Sequence, residues 1–374
     1  MTKGLRIAVI GSRGIPAHYG GFETFAEELA PRLVARGHEI TVYGRRGYTG
    51  EAPPSEWKGV HLVHTPYLRI RALETLSHEL TSIVHSLSRS FDLYYFLGTR
   101  GAPLYLLVKP TRRIAVVHTD GLEWKRRKWG RIGRAYLRGA EWLAARVSAD
   151  ELVTDAEAMR RYYLDRYGRD SVRIPYGAPL LGPANPEELR RRWDLTQSGF
   201  DLVVCRLEPE NNVDLVIREH LASGTALPLV VVGDAPYEGA YQRALRDLQE
   251  PGRVRFLGAI HEEVDLLYAG CRAYLHGHEV GGLNPSLLRA MGAGRPCLAI
   301  DTPFNREALG DLVWLWTRAS GDLATQLSRM ERDPESAMVA GVRNRKRVAA
   351  AFSWERVADR HEALFRDLAE TGAS

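Results

Sequence analysis

Four loops in this sequence place glycine, arginine or histidine where a negatively charged ligand would bind. The first spans residues 11–23 and has Gly20 and Gly21 directly before a segment of helical periodicity. N–H groups at a helix start attract anions, and glycine lets a ligand approach the backbone. The loop lacks both the GxGxxG of dinucleotide-binding folds and the GK[ST] of Walker loops. We expect it to hold a phosphate group; a plain glycine-rich turn is the alternative.

The second loop reads VVCRLEPENN, residues 203–212, and follows an apolar strand. Arg206 lies where that strand ends, and Asn211 and Asn212 open the next helix. A guanidinium at such a position can hold a diphosphate through two parallel hydrogen bonds. The alternative is a surface ion pair with Glu208 or Glu210.

The third loop reads HGHEVGGLNPSLLRAMGAG and begins at His276. It contains Gly281 and Gly282, and Asn284-Pro285-Ser286 then start a helix with an asparagine cap and a proline in the first turn. This helix start is a second expected anion site. His276, His278 and Glu279 could suggest a metal, but their spacing is not a usual zinc pattern and the chain has no DxD triplet. We therefore expect no metal.

The fourth loop, residues 116–142, brings His118 and Asp120 to the end of a strand. A basic stretch interleaved with aromatic residues follows, and the residues concerned are Trp124, Lys125, Arg126, Arg127, Lys128, Trp129, Arg131, Arg134, Tyr136 and Arg138. Such a stretch suits an anionic membrane surface or lipid head group. It would also suit nucleic acid, but no nucleic-acid-binding module accompanies it. A solvated basic helix remains the simplest alternative.

Composition is typical of a globular protein, with 45% hydrophobic and 26% charged residues. The charge is uneven: residues 1–180 hold 28 Lys and Arg against 18 Asp and Glu, whereas residues 181–374 hold 23 against 28. A basic first half suggests an anionic partner, unless the asymmetry is without function. The three scattered cysteines form no CxxC pair, and no apolar run approaches a membrane span, so a cytoplasmic location is expected.

Short apolar strands alternate with helical segments along the whole chain, which predicts α/β architecture with doubly wound parallel sheets. The proline- and glycine-containing segment YGAPLLGPANPEELRRRW separates two such series. We therefore predict Rossmann-like domains at residues 1–180 and 181–352, and a C-terminal helix at 353–374 that packs back toward the first domain. Ligands of such sheets bind at the carboxyl ends of the strands, here expected to face each other across a cleft.

Several motifs together resemble family 4 glycosyltransferases of the GT-B fold, and narrower motifs resemble bacterial β-1,4-rhamnosyltransferases of capsule and cell-wall polysaccharide synthesis. The narrower motifs are IGSRGIPAHYGGFETFAEEL, DGLEWKRRKW, RLEPENN and HGHEVGGLNPSLL. The resemblance implies retaining transfer of a sugar, with dTDP-L-rhamnose as the favoured donor, to a lipid-pyrophosphate-linked saccharide. It also implies a peripheral location on the inner face of the cell membrane and no cofactor.

The strand ends, the loops and the resemblance together suggest roles for individual residues. Catalytic roles fall to His118, Asp120, Arg206 and Glu279. Donor contacts fall to Gly20, Gly21, Arg206, Asn211, Asn212, Gly258, His278, Gly281, Gly282, Asn284, Pro285, Ser286 and Arg289, and acceptor contacts fall to Tyr19, Glu23, Trp124, Lys125 and Arg126. The chain departs from the family at three of these positions. Arg289 and Gly281 stand where two glutamates are usual, the second of which grips the donor ribose, and Asn211 replaces a lysine.

Three other functions stay open at this point. A GT-B-fold nucleotide-sugar 2-epimerase would need acids beside the sugar and no basic lipid-facing helix. A catalytically silent subunit of a glycosyltransferase complex is suggested by Arg289. An NADP-dependent oxidoreductase is suggested only by Arg45-Arg46 at the end of the second strand.

Overall fold

The computed structural model describes residues 4–17, 20–48, 50, 53–70, 73–119, 121–126, 129–234, 239–260, 263–310 and 314–371. The chain divides into two compact units. Unit 1 consists of residues 1–176 and 354–374, and unit 2 of residues 177–353. Elements below are numbered in chain order.

Unit 1 contains an eight-stranded sheet in the order β3-β4-β2-β1-β5-β6-β7-β8. Its strands are β1 (Arg6–Ile10), β2 (Glu39–Arg45), β3 (Glu56–Trp57), β4 (Val60–Thr65), β5 (Leu93–Leu97), β6 (Ile114–His118), β7 (Glu151–Thr154) and β8 (Val172–Arg173). The pairings are parallel except for β3 with β4. Its helices are α1 (Gly21–Ala35), α2 (Glu74–Leu87), α3 (Ala102–Tyr105), α4 (Arg131–Leu143), α5 (Glu157–Tyr167) and α14 (Trp354–Thr371).

Unit 2 contains a six-stranded parallel sheet in the order β11-β10-β9-β12-β13-β14. Its strands are β9 (Asp201–Val204), β10 (Leu229–Val232), β11 (Val254–Gly258), β12 (Ala273–His276), β13 (Cys297–Ile300) and β14 (Trp314–Trp316). Its helices are α6 (Pro186–Trp193), α7 (Val213–Ala222), α8 (Ala240–Arg246), α9 (Val264–Gly270), α10 (Pro285–Gly292), α11 (Pro303–Leu309), α12 (Asp322–Arg332) and α13 (Pro334–Ala351). The expectation of two parallel-sheet α/β domains is confirmed.

Continuous apolar runs explain why the central strands are buried on both faces. In β5 and β10 every residue is buried, as expected for strands covered by helices on two sides. Helix α14 packs on α1 within unit 1, where Arg36 pairs with Glu355 at 3.0 Å and with Asp359 at 2.7 Å.

The strand order defines where a ligand can enter each sheet. In unit 1 the chain runs outward from β1 through β2 to β4, then returns to β5 on the other side of β1. In unit 2 it runs from β9 to β11 and returns to β12 beside β9. Ligands of open α/β sheets bind at the carboxyl ends of strands where this reversal occurs. The loops after β1, β5, β9 and β12 are therefore the ones that form the candidate sites.

None of the helices in the described ranges combines the length and hydrophobicity needed to span a bilayer.

Candidate functional site

The loops after β9 and β12 are locked together in unit 2. The side-chain amide of Asn212 donates to the carbonyl oxygen of Gly277 at 2.8 Å, and the N–H of Glu279 donates to the carbonyl oxygen of Glu210 at 3.2 Å. A Cβ atom on Gly277 would lie only 2.4 Å from the carbonyl oxygen of Asn211. Glycine is therefore required at residue 277 for the two loops to meet.

Arg206 lies two residues beyond β9, on this pair of loops. Its carbonyl oxygen accepts a 2.7 Å hydrogen bond from the side chain of Asn211. Its guanidinium forms no ion pair or hydrogen bond with any other described residue, so the surface ion pair considered for Glu208 or Glu210 is not formed. A half-buried arginine without an acidic partner is suited to bind an anion. Asn211, predicted to contact a donor, also holds the loop through this hydrogen bond.

The β12 loop contains a pair of stacked imidazole rings. The ring of His276 is fully buried and stacks on His278 with 4.3 Å between centroids. Burial lowers the pKa of His276 to about 3, so it is neutral at physiological pH. Its Nε2 has no hydrogen-bond partner in the described chain. His276 is thus an uncharged group at the start of the loop that carries Gly281 and Gly282.

The start of α10 is capped internally. Asn284 Oδ1 accepts from the N–H of Ser286 at 3.0 Å and from its hydroxyl at 2.7 Å. The Ser286 hydroxyl also lies 2.7 Å from that of Tyr274. Pro285 has no N–H, and the Ser286 N–H is already used. The anion site expected at Asn284-Pro285-Ser286 therefore retains fewer free donors than the sequence suggested.

Two predicted unit 2 side chains are neutralised by partners distant in sequence. Arg289 makes a bidentate ion pair with Asp265, with nitrogen–oxygen distances of 2.5 and 2.8 Å. The carboxylate of Glu279 accepts from Arg318 at 2.9 Å. Arg289 therefore does not present an isolated positive charge where a ribose-binding glutamate is usual. Gly258, also assigned to the donor, ends β11 in a left-handed conformation with φ of 69°.

In unit 1 the loop after β1 is shaped by Glu23. The carboxylate is buried and accepts from the N–H of Arg13 at 2.8 Å. Burial is the largest influence on Glu23 and raises its pKa. Gly20, at φ 115°, lies against this carboxylate, because a Cβ there would be 2.1 Å from Glu23 Oε2. Glu23 therefore stabilises the glycine loop from beneath, while the neighbouring Gly21 is exposed.

His118 ends β6, beside β5. It is fully buried, and Phe22 and Phe25 from α1 pack on it at centroid distances of 5.7 and 5.0 Å. Burial lowers its pKa to about 4, and Nδ1 lies 3.0 Å from the carbonyl oxygen of Thr119. That contact assigns the proton to Nδ1, which leaves Nε2 as a hydrogen-bond acceptor without a partner in the described chain. Asp120 and Tyr19, predicted to act nearby, lie outside the described residues.

The basic stretch is less uniform than its sequence. Arg126 pairs with Glu123 at 2.6 Å and both side chains are largely buried, so the structure removes Arg126 from the solvent-facing set. Trp124 lies under Arg138 and Lys125, whose charges are 4.3 and 5.6 Å from its ring centre. Arg127 and Lys128 lie outside the described residues.

Helix α4 carries the exposed part of the basic surface. Arg131, Arg134 and Arg138 are exposed on it. Ile132 is 89% exposed and Trp142 50% exposed on the same helix. This surface therefore combines positive charge with large exposed apolar side chains.

Sequence patterns missed a cluster of charged side chains at the carboxyl edge of the unit 1 sheet, in which Arg45 and Glu79 are buried and Arg100 is half-buried. Arg45 drew attention only as a possible cofactor contact, and a glutamate within a helical segment carries no signal of its own. The one available hint was that α2 places polar residues on its buried face, among them His78, Glu79, Ser82 and Ser86.

In the described part of the chain, no three His, Cys, Asp or Glu side chains come together in a group that could hold a metal ion.

Comparison with curated proteins finds two similar glycosyltransferases. The chain is 26% identical to D-inositol 3-phosphate glycosyltransferase from Geodermatophilus obscurus, over 95% of this chain and 86% of that protein. It is 20% identical to the GtfA subunit of a UDP-N-acetylglucosamine–peptide N-acetylglucosaminyltransferase from Streptococcus agalactiae, over 59% of this chain. The match spans 42% of that protein's length.

Comparison with solved structures finds the same fold over nearly the whole chain. Sucrose-phosphate synthase from Thermosynechococcus elongatus superposes with a TM-score of 0.83 at 19% identity, covering 99% of this chain and 100% of the other. Alr3699/HepE from Anabaena in complex with UDP-glucose superposes with a TM-score of 0.78 at 18% identity, covering 97% of this chain and 100% of the other.

Two families match along the sequence. Residues 5–179 match a domain of unknown function, DUF1972, and residues 187–347 match the family Glycosyl transferases group 1. The second match contains the Arg206 loop, the stacked histidines and α10, which are the groups brought together in unit 2. Residues 187–347 of this protein thus match the glycosyl transferases group 1 family, and the chain has the fold of the GT-B glycosyltransferases.

Proposed function

We propose that this protein is a retaining glycosyltransferase that moves a sugar from a nucleotide diphosphate to a hydroxyl of a lipid-linked saccharide. The observation that carries the proposal is the Arg206 guanidinium, which has no acidic partner in the described chain and lies at the strand reversal of unit 2. The match of residues 187–347 to the glycosyl transferases group 1 family supports it.

The chemistry needs negative charge stabilised on the departing diphosphate. Arg206 supplies a preorganised positive charge, because the hydrogen bonds between the β9 and β12 loops hold its backbone in place. Gly281 and Gly282 leave the adjacent loop free of bulky side chains. The uncharged imidazole of His276 lies at the start of the same loop.

His118 would orient a sugar hydroxyl through Nε2. Its pKa of about 4 makes it a weak base, so it accepts a hydrogen bond and does not remove a proton. In a front-face retaining mechanism the leaving phosphate oxygen takes the acceptor proton, and no dedicated base is required. The resemblance to retaining family 4 enzymes supports this mechanism.

The donor we favour is dTDP-L-rhamnose. The usual ribose-binding glutamate is replaced by Arg289, whose charge is neutralised by Asp265. A deoxyribose lacks the 2′-hydroxyl, so a thymidine donor loses less than a uridine donor when that glutamate is absent. Uridine donors remain the main competitors, because Alr3699/HepE was solved with UDP-glucose.

A peripheral membrane location on the cytoplasmic side, as part of polysaccharide synthesis, completes the proposal. Each basic residue near an anionic leaflet contributes roughly 1 kcal/mol, so Arg131, Arg134 and Arg138 together give weak, salt-sensitive attachment. The exposed Ile132 and Trp142 would add apolar contact with the interface.

The donor site is tested by thermal-shift screening of nucleotide diphosphates, followed by turnover of the matching nucleotide sugars in wild type and Arg206→Ala. Loss of a preorganised charge costs about 3 kcal/mol, so the variant should lose roughly 10²-fold in kcat while keeping its melting temperature. Arg190→Ala, which removes an exposed arginine of α6 in unit 2, is the matched control. Wild-type turnover in a stable Arg206→Ala protein would refute the assignment.

The membrane part is tested by sedimentation with anionic liposomes. Wild type should bind at low salt and be released as ionic strength rises, because screening shortens the range of the attraction. The triple change of Arg131, Arg134 and Arg138 to serine should abolish binding. The same change at Arg190, Arg191 and Arg192, which are exposed on α6 and its end in unit 2, should not. A wild-type protein that ignores these liposomes at low salt would make a soluble acceptor the better proposal.

A further inference from the structure

Two arginines converge on one hydroxyl at the carboxyl edge of the unit 1 sheet. Arg45 is the last residue of β2, and Arg100 follows β5 by three residues. Thr75 Oγ1 accepts from Arg45 Nη2 at 3.1 Å and from Arg100 Nη1 at 3.0 Å. The two guanidiniums are therefore closer together than two hydrogen-bond lengths. Like charges repel at such a separation unless neighbouring groups compensate them.

The acids around these arginines leave both Nε–H groups unused. Glu74 accepts from Arg45 at 3.3 Å, and Glu123 accepts from Arg100 at 3.1 Å. The Nε atoms of Arg45 and Arg100 are buried and have no hydrogen-bond partner among the described residues. Arg45 as a whole is 8% exposed. Buried donors in native proteins are normally paired, so two orphaned donors on converging guanidiniums indicate a ligand that supplies oxygen atoms.

A third buried group lies beside them. Glu79 is 1% exposed, and its Oε2 has no partner in the described chain. The carboxyl is pressed against Gly101, where a Cβ would lie 1.6 Å from Oε2. Burial raises the pKa of Glu79 to about 8, although Arg100 and Arg45 oppose the rise. Near pH 7 this carboxyl is protonated for the most part, so it does not cancel the charge of the two arginines.

The cluster of Arg45, Arg100 and Glu79 has connections to His118, which we propose orients a sugar hydroxyl, and to α4. Leu97, three residues before Arg100, pairs in register with His118. On the other side, the hydroxyl of Tyr136 in α4 donates to the carbonyl oxygen of Arg100 at 2.9 Å. Arg100 therefore follows the strand that pairs with the strand of His118, and it is hydrogen-bonded to the helix with the exposed basic and apolar residues. In a lipid-linked saccharide, the phosphoryl groups likewise join the sugar to the lipid.

We propose that Arg45 and Arg100 form a subsite that binds a phosphoryl group of the lipid-linked acceptor, with Glu79 as a neutral neighbour that can donate a hydrogen bond to it. The assignment rests on the proposed glycosyltransferase function for the identity of the ligand. The binding chemistry, two guanidiniums and a carboxylic acid on one phosphoryl group, stands on the unit 1 geometry.

The test measures binding of inorganic pyrophosphate by isothermal titration calorimetry at pH 7. All proteins carry Arg206→Ala, which removes the competing diphosphate site of unit 2. In that background Arg100→Gln and, separately, Arg45→Lys should each weaken binding roughly tenfold or more, because each loses a charge-assisted hydrogen bond. Arg6→Gln is the matched control, since Arg6 lies at the amino end of β1 and pairs with Asp92. Unchanged affinity in both site variants, or an equal loss in the control, would overturn the proposal.

Binding of two further compounds distinguishes a lipid-linked phosphoryl group from other anions. A short-chain prenyl diphosphate should bind with the same dependence on Arg100, whereas sodium glucuronate should not bind. Binding of pyrophosphate alone would assign the subsite to a free phosphate, and binding of glucuronate would assign it to a carboxylate. Because the readout is binding and not turnover, the subsite can be found even if glycosyl transfer is never observed.

The pH dependence provides a readout that a purely structural role of Glu79 would not change. Charged or titratable groups around it are Arg45 in β2, Arg100 after β5, Tyr105 in α3 and Tyr136 in α4. Glu79 itself has a pKa raised to about 8, and none of these neighbours does. Ionisation of Glu79 should therefore weaken pyrophosphate binding between pH 7 and 9 in wild type, but not in Glu79→Gln. Parallel pH profiles of the two proteins would remove Glu79 from the subsite.

Discussion

The buried carboxyl of Glu79 offers a quantitative test of the unit 1 structure through the variant Glu79→Gln. Glutamine keeps the shape of the protonated acid but cannot ionise. Burial raises the pKa of Glu79 from 4.5 to about 8, so the folded protein retains a proton that the unfolded chain has released at neutral pH. The stabilisation from this bound proton is complete below pH 4.5. It is lost as pH rises toward 8 and changes no further above that.

The expected size follows from this shift. Each unit of pKa difference corresponds to about 1.4 kcal/mol, so wild type should lose roughly 4 kcal/mol of unfolding free energy from this group between pH 5 and 8. Glu79→Gln should lack this loss. The two proteins should therefore be similarly stable at pH 5, and the variant should be more stable at pH 8 by several kcal/mol.

The assay is urea unfolding followed by tryptophan fluorescence at pH 5, 6, 7 and 8. Glu39→Gln, at an exposed position in β2, is the matched control and should follow wild type at every pH. If the curves of wild type and Glu79→Gln stay parallel from pH 5 to 8, the carboxyl is not buried as described. The proposed role of protonated Glu79 as a hydrogen-bond donor in the phosphoryl subsite would then also be refuted.

Two further predictions concern unit 2. The absence of a DxD triplet predicts that transferase activity survives excess EDTA; loss of activity with recovery on adding Mg²⁺ or Mn²⁺ would mean that the diphosphate site was misinterpreted. Gly277→Ala places a Cβ 2.4 Å from the carbonyl oxygen of Asn211, which should cost about 1–3 kcal/mol and weaken nucleotide diphosphate binding in calorimetry as the two loops separate. Gly182→Ala, at a unit 2 glycine with open space around it and no left-handed backbone, is the matched control, and equal effects on binding in both variants would contradict the role assigned to Gly277.

Local patterns in the sequence were sufficient to predict the fold class and the loops of interest. Apolar runs such as residues 93–97 and 229–232 can be recognised without a structure, because strands buried on both faces are continuously hydrophobic. The glycines before α1, the arginine after β9 and the Asn-Pro-Ser start of α10 can be recognised for a similar reason, since each lies at a predicted strand end or helix start. Helices α12 and α13 were not predicted individually.

What only the tertiary structure decided is which side chains are free to act. Asn211 and Asn284 are predicted ligand contacts, and in the structure the first holds a loop and the second caps a helix. Arg289 is paired with Asp265, 24 positions earlier in the chain. Each of these outcomes depends on a hydrogen-bond partner that the residue type alone does not specify.

The phosphoryl subsite is the clearest case of this division. Arg45 and Arg100 are 55 positions apart in the sequence, and neither belongs to a recognisable motif. They meet because β2 and β5 both flank β1 in one parallel sheet, so the residues that follow them emerge at the same edge. The sequence by itself determined that strands end near these arginines. Only the strand order determined that their charges converge, because pairing between distant strands is a property of the assembled sheet.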